Sequence, residues 1–179
     1  MEVPVTGISS PARKKASGEG AGCAALTRFK PHGLLRAERG SGGLYSNPAA
    51  YESYMGRWSM TLAPAFLRFA CSREPSALLD IGCGTGSLLR AAAASFPQTR
   101  LVGVDAVPDY LVHARGAMAS GEAQLIAGLV EQMPFADGIF DCCLSLLLLQ
   151  EIRERGPALH EMRRVTPAGC SRRRLPVGL

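Results

Sequence analysis

A chain of 179 residues, 47% of them hydrophobic and with a mean hydropathy of +0.09, can bury one real core and is too short for two ordinary domains. Unbroken apolar runs such as Leu146 to Leu149 fall far below the roughly 20 residues that span a bilayer, so the expectation is a soluble protein with no membrane partner. The net charge of +5 sits in the two ends: residues 1–44 carry seven Lys or Arg against three acids, residues 170–179 carry Arg172, Arg173 and Arg174, and residues 45–169 carry ten Arg against twelve acids, which gives no clear nucleic-acid site on the middle of the chain.

Residues 1–44 are rich in Gly, Ser, Ala and Arg and hold no sustained apolar period, so they read as a disordered basic tail. Order is expected from Tyr45. Pro48 to Met55 can form a short helix, and Leu62, Ala65, Phe66 and Phe69 then repeat at helical spacing as an inward stripe, with Thr61 as N-cap and Pro64 in the first turn. Arg73-Glu74-Pro75 breaks that helix. A buried strand over 76–81 leads to a glycine-rich turn and a helix from Thr85 to Phe96, which Pro97 closes. Leu101 to Asp105 is a second strand ending in an acid. Pro108 starts a helix that faces inward through Val107, Leu111, Ala114 and Met118. Leu125 to Ala127 reads as a third strand, and Ile139 to Leu147 as a fourth, apolar on both faces. A last helix from Pro157 shows Leu159, Met162 and Val165, and residues 170–179 read as an irregular basic tail.

Strands alternating with helices predict an α/β fold with a doubly wound, mostly parallel, Rossmann-like sheet. After Gly169 the sequence offers three consecutive arginines where another apolar strand is expected, so the sheet reads as incomplete at its C-terminal edge, with the Ile139–Leu147 ladder exposed. Six cysteines form no C-x-x-C pair and no His stands at ligand spacing, so neither zinc nor a disulfide framework is indicated, and Cys142 and Cys143 read as small core residues. That cysteine usage, with no apolar leader segment near the N-terminus, fits a reducing, cytoplasmic setting.

The chemistry concentrates at Leu79-Asp80-Ile81-Gly82-Cys83-Gly84-Thr85-Gly86. In open parallel sheets ligands bind beyond the carboxyl ends of the strands, and this turn lies there. Gly82 and Gly84 let the main chain approach a ligand, Gly86 allows the helix to pack closely on the sheet, and Asp105 ends the next strand, where an acid can accept hydrogen bonds from a ribose. A dinucleotide fingerprint needs G-x-G-x-x-G, whereas here the third glycine falls one position early and Ser occupies position 87. Asp80, two residues before the first glycine, disfavours a pyrophosphate and suits a cofactor bearing an ammonium group.

These residues, with Val102-Gly103-Val104-Asp105, the run from Met133 to Asp141 and the run from Leu159 to Gly169, resemble the class I S-adenosylmethionine-dependent methyltransferases, of the methyltransferase type 11 group. Tyr51, Tyr54 and Met55-Gly56-Arg57-Trp58-Ser59 are similar to the N-terminal helices that cover the cofactor in some members. The resemblance spans residues 45–169. It implies that Asp80 and the backbone of Gly82, Cys83 and Gly84 hold the methionine part of S-adenosyl-L-methionine, Asp105 and Ala106 the ribose, Leu129 and Val130 the adenine, and that Arg57 pairs with the cofactor carboxylate. The chain departs from the family at Leu129, where relatives often carry Asp, at Gln150-Glu151, and at the C-terminal strands.

The electrophile arrives with such a cofactor, and a general base is needed only where the acceptor must lose a proton. Glu151 is the candidate base. No Asn/Asp-Pro-Pro-aromatic run and no Pro-Cys nucleophile follows the fourth strand, which leaves a small molecule as the expected methyl acceptor. Two alternatives stay open: a truncated, catalytically inactive protein that binds cofactor weakly or acts by interaction, and a nicotinamide-dependent oxidoreductase. Neither oligomeric state nor the atom methylated is legible.

Overall fold

The computed structural model describes residues 47–167, so the predicted tails at 1–44 and 170–179 lie outside the described residues. The elements run α1 (Pro48–Tyr51), a π-helical turn (Glu52–Gly56), α2 (Arg57–Ala70), β1 (Ala77–Ile81), α3 (Ser87–Ser95), β2 (Arg100–Asp105), α4 (Pro108–Ala117), β3 (Gln124–Ala127), β4 (Cys142–Leu144) and α5 (Arg155–Arg164). The four strands form one parallel sheet in the order β3-β2-β1-β4. β1 sits centrally, and all five of its residues are buried. The reversal of strand order beside it places its carboxyl end at the switch point where an open α/β sheet binds ligands.

The core divides into two apolar clusters. Leu67, Leu78, Leu88, Leu89, Ala92, Leu101 and Leu144 belong to one, and Leu79, Ile81, Val102, Val104, Phe140, Met162 and Val165 to the other. Leu78 and Leu79 fall in different clusters because successive strand residues point to opposite faces, which is why β1 reads as a continuous apolar run. Among the described residues no helix is long and apolar enough to cross a membrane.

Several expectations change. The stripe Leu62, Ala65, Phe66 and Phe69 is not the inward face of α2, whose buried residues are Ala63 and Leu67, while Leu62 and Phe69 are 44% and 46% exposed. Thr61 is no cap either: its hydroxyl donates to the Arg57 carbonyl (2.8 Å) within a helix already under way, and Pro64 lies inside that helix. The π-helical turn carries the chain from α1 into α2 without a break, and packing against α3 selects the α2 stripe through Ala63 and Leu67, with Phe66 and Ala70 beside it. In α5 Met162 and Val165 face inward, whereas Ala158 is buried and Leu159 exposed.

The helix predicted from Thr85 begins at Ser87, because Gly84 (φ 52°) and Gly86 (φ 86°) are left-handed and no right-handed helix can pass through them. The strand predicted over 139–147 is only Cys142–Leu144. Before it, the Asp141 carboxylate accepts from the amides of Ser76 (2.8 Å) and Ala77 (2.7 Å), taking the place of a further ladder rung. After it, Leu147 adopts φ 64° and the chain leaves the sheet. The exposed ladder is therefore far shorter than predicted, and short edge strands resist edge-to-edge pairing. Cys142 and Cys143 are half-buried on opposite faces, and the Cys142 Sγ lies 3.4 Å from that of Cys71 at the end of α2.

The run from Met133 to Gly138 has no regular structure and is fastened by one side chain. Arg164 on α5 donates to the carbonyls of Phe135 (2.7 Å) and Met133 (3.1 Å), to Asp137 (2.7 Å) and to both oxygens of Glu161 (2.6 and 2.8 Å), and Glu161 accepts from the Met133 amide (2.8 Å). The Arg164 guanidinium, through its hydrogen bonds, holds the Glu161 carboxyl below its ordinary range. The Asp137 arm is 80% exposed and contributes little. The half-buried remainder makes Arg164→Met strongly destabilising, by about 2–4 kcal/mol in urea unfolding, because two carbonyls and a carboxylate lose their donors together.

Candidate functional site

β1 ends at Ile81, and its chain then folds back under the end of β2: the Gly82 and Cys83 amides both donate to the Val104 carbonyl (2.8 and 3.1 Å). Such a return needs left-handed residues, which Gly82 (φ 67°) and Gly84 supply. The Gly84 amide donates to Asp105 Oδ2 (2.9 Å) and the Val107 amide to Asp105 Oδ1 (2.8 Å), so the acid predicted for a ribose also fixes the turn. Farther along, the Gly128 amide donates to the Asp105 carbonyl (3.0 Å), which brings Leu129 and Val130 past the ends of β2 and β3.

The three glycines of the turn do different work. A Cβ at Gly82 would lie 2.6 Å from Leu148, so a packed side chain already fills the space predicted for ligand. One at Gly86 would meet Ala114 Cβ at 3.2 Å, so the close packing there is against α4 rather than the sheet. Only at Gly84 is the space open, the nearest atom being Tyr51 Cε1 at 4.0 Å. A fourth glycine, Gly103 of β2, supports the turn from below: a Cβ there would come within 2.8 Å of both Leu89 and the Cys83 Sγ, so the turn can lie on β2 only over a bare backbone.

A cleft opens beside Gly84, bordered by Asp80, the Gly82–Thr85 backbone, Ser87 and Leu88 below, and by Tyr51 and Ser59 from the N-terminal helices. Asp80 is 1% exposed, and its Oδ2 has no hydrogen-bond partner among the described residues. Burial, reinforced by the neighbouring Asp105 charge, pushes its carboxyl up to about 8. Burial also raises Asp105, against the opposing pull of the amides that donate to it, and carries the Cys83 thiol well above its ordinary value. The site is thus a buried, acid-rich pocket floor, and a cationic group entering beside Asp80 would relieve its cost.

Not every predicted residue reaches this cleft: Asp105, turned onto the Gly84 and Val107 amides, and Gly86, packed on α4, do not border it. Ala106, at the end of β2, is exposed, and Leu129 and Val130 are half-buried along the neighbouring strand ends without bordering the cleft. Arg57 is exposed, its guanidinium 5.6 Å from the centre of the Trp58 ring. Glu151 is exposed in the turn after Leu148, whose carbonyl accepts from the Glu151 amide (2.8 Å). Ser59 belongs to the stretch that the resemblance places over the cofactor, whereas Glu52 and Arg90 gave no sequence signal, because their contact with each other and with Thr85 joins segments more than 30 residues apart.

Residues 78–169 match the family model described as a methyltransferase domain. The chain is 33% identical over 100 residues to a malonyl-[acyl-carrier protein] O-methyltransferase of Geobacter sulfurreducens, covering 55% of this chain and 38% of that protein. It is 30% identical over 114 residues to a demethylmenaquinone methyltransferase of Roseiflexus sp., covering 64% and 46%. The chain thus spans less than half the length of these curated relatives. Among solved structures it is similar to a SAM-dependent methyltransferase from Thermotoga maritima (TM-score 0.56, 20% identity, 70% of this chain and 56% of that one) and to the plantazolicin methyltransferase BpumL solved in complex with SAH (TM-score 0.54, 21% identity, 69% and 50%). The family model takes in just over half of the chain, from β1 through the glycine turn, Asp105 and the Arg164-fastened loop to α5, and this chain belongs to the class I S-adenosylmethionine-dependent methyltransferases.

Proposed function

We propose that the cleft beside Gly84 binds S-adenosylmethionine and that the protein transfers its methyl group to a small-molecule acceptor. The observation that carries this reading is the buried Asp80 carboxyl with an unpartnered oxygen beneath a turn whose only open glycine is Gly84. A carboxyl so placed fits an ammonium group, and Asp105, which keeps lone pairs beyond those used by Gly84 and Val107, fits ribose hydroxyls. Leu129 and Val130 offer main-chain groups and apolar surface to an adenine. When bound, the cofactor supplies a sulfonium methyl ready for in-line displacement.

The chain's own share is positioning and exclusion of water. Gly84 lets the backbone approach, Asp80 meets one polar end inside the cleft, Asp105 is offered to the ribose from behind the Gly84 amide, and Tyr51 and Ser59 close the cleft from above. Among the described residues no carboxylate or imidazole borders the cleft besides Asp80, and Glu151, the candidate base, is exposed in the turn after Leu148. The relatives' names include malonyl-[acyl-carrier protein] and demethylmenaquinone, so the small-molecule reading rests on the sequence, which carries no nucleic-acid methylase motif after the fourth strand.

Titration calorimetry of the full chain against S-adenosylmethionine, S-adenosylhomocysteine and NADH tests the reading. Saturable heat with the first two and none with NADH is expected. Binding of NADH alone would replace the proposal with an oxidoreductase, and no heat with any ligand would leave a protein acting by interaction.

A further inference from the structure

We infer that Glu52 is a positioning residue, the catch that holds the N-terminal helices closed over the cofactor cleft. Its carboxylate lies where α1 meets the π-helical turn and reaches down onto the glycine loop. One oxygen accepts from the Thr85 hydroxyl, and the other pairs with the Arg90 guanidinium (3.1 Å). Both side chains of that pair are only 24% exposed, so the contact is shielded better than an ordinary surface ion pair. Arg90 is itself held by the Thr85 carbonyl (2.8 Å) and the Ser87 hydroxyl (3.3 Å), which ties the catch to the first turn of α3.

The backbone is shaped for this contact. Gly56, four residues on, is buried, and a Cβ there would fall 2.6 Å from the Glu52 carboxyl carbon. The missing side chain lets the Glu52 side chain lie across the helix surface and down to Thr85. The π-helical turn runs over these same five residues, and such turns cost helix regularity unless something repays it. The residues flanking the catch are those that wall the cleft from above: Tyr51, one position before Glu52, stands nearest the open face of Gly84 and stacks on Tyr110 with ring centres 5.0 Å apart, and Ser59 lies two turns further on. Glu52 touches no cofactor position itself. It acts by holding Tyr51 and Ser59 at the cleft mouth, so it governs escape of a bound cofactor more than its capture.

This inference rests on the cofactor reading above, and the experiment separates the two. The variants are Glu52→Ala, which removes the catch, and Gly56→Ala, which ordinarily favours a helix over glycine yet here displaces the carboxylate. Stopped-flow measurement of the full chain should show S-adenosylmethionine leaving both variants about tenfold faster, with association changed by less than about twofold. Amide exchange across residues 52–60 of the ligand-free protein should quicken in both. Helix content stays the same in each. A purely structural role predicts that Gly56→Ala matches or exceeds the wild type in exchange protection; that result, or wild-type dissociation rates in both variants, overturns the catch. If the wild type binds no S-adenosylmethionine, the cofactor reading fails, and unchanged exchange in both ligand-free variants would then overturn the catch on its own.

Discussion

Gly84→Val abolishes cofactor binding while leaving the protein folded. The site is left-handed (φ 52°) and open, with nothing nearer to a new Cβ than 4.0 Å, so the branched side chain enters the cleft rather than the core. Holding a non-glycine residue in that conformation costs about 1–2 kcal/mol, which a folded domain survives. Calorimetry should show affinity for S-adenosylmethionine reduced by more than about 100-fold, since a backbone that can no longer approach the ligand loses several contacts at once. Gly82→Ala is the contrasting variant. Its new methyl group meets Leu148 at 2.6 to 2.9 Å, including the Leu148 Cβ, so it strains the fold and lowers the unfolding midpoint by an amount that corresponds to about 1–3 kcal/mol. Retained affinity in Gly84→Val would show that the ligand lies elsewhere.

Asp80→Asn is expected to trade function for stability. In the ligand-free protein the Asp80 carboxyl titrates near 8 against 3.8 for an unperturbed group, chiefly through burial. The folded state therefore keeps a proton between those values that the unfolded state has lost. Stability is fully present at low pH and falls as pH rises, by about 1.4 kcal/mol per unit, until the folded group ionises near 8. Unfolding midpoints measured from pH 5 to 9 should decline in the wild type and flatten in Asp80→Asn. The same variant should bind S-adenosylmethionine about 10–100-fold more weakly, the worth of a charge-assisted hydrogen bond. Because ligand binding favours the ionised carboxyl, wild-type binding near pH 7 should release a proton, and calorimetry in buffers of different ionisation enthalpy reads that release directly. A variant that bound as tightly as the wild type would remove Asp80 from the site.

The turn itself was legible because three glycines at alternate positions between an apolar run and a helical pattern have few uses. The reading went astray where function was assigned to each glycine separately. Leu148 lies 66 residues beyond Gly82, and its contact depends on the left-handed exit at Leu147, for which the sequence holds no marker. The inward face of α2 follows from packing in the same way: the helix is apolar both at 62, 65, 66 and 69 and at 63, 66, 67 and 70, and the contact with α3 selects the second stripe.

Local pattern determined the class of this protein by itself. Strand-helix alternation, the glycine spacing with Asp80 and Asp105, and the recurring apolar runs are short-range features, and each is written within a few turns of chain. Tertiary structure alone decided which glycine opens to a ligand, that β4 pairs over three residues, that Arg164 fastens the 133–138 loop, and that Glu52 reaches Thr85 and Arg90. Those outcomes are contacts between residues about 30 or more positions apart, and their geometry follows from packing against neighbours that no local periodicity specifies.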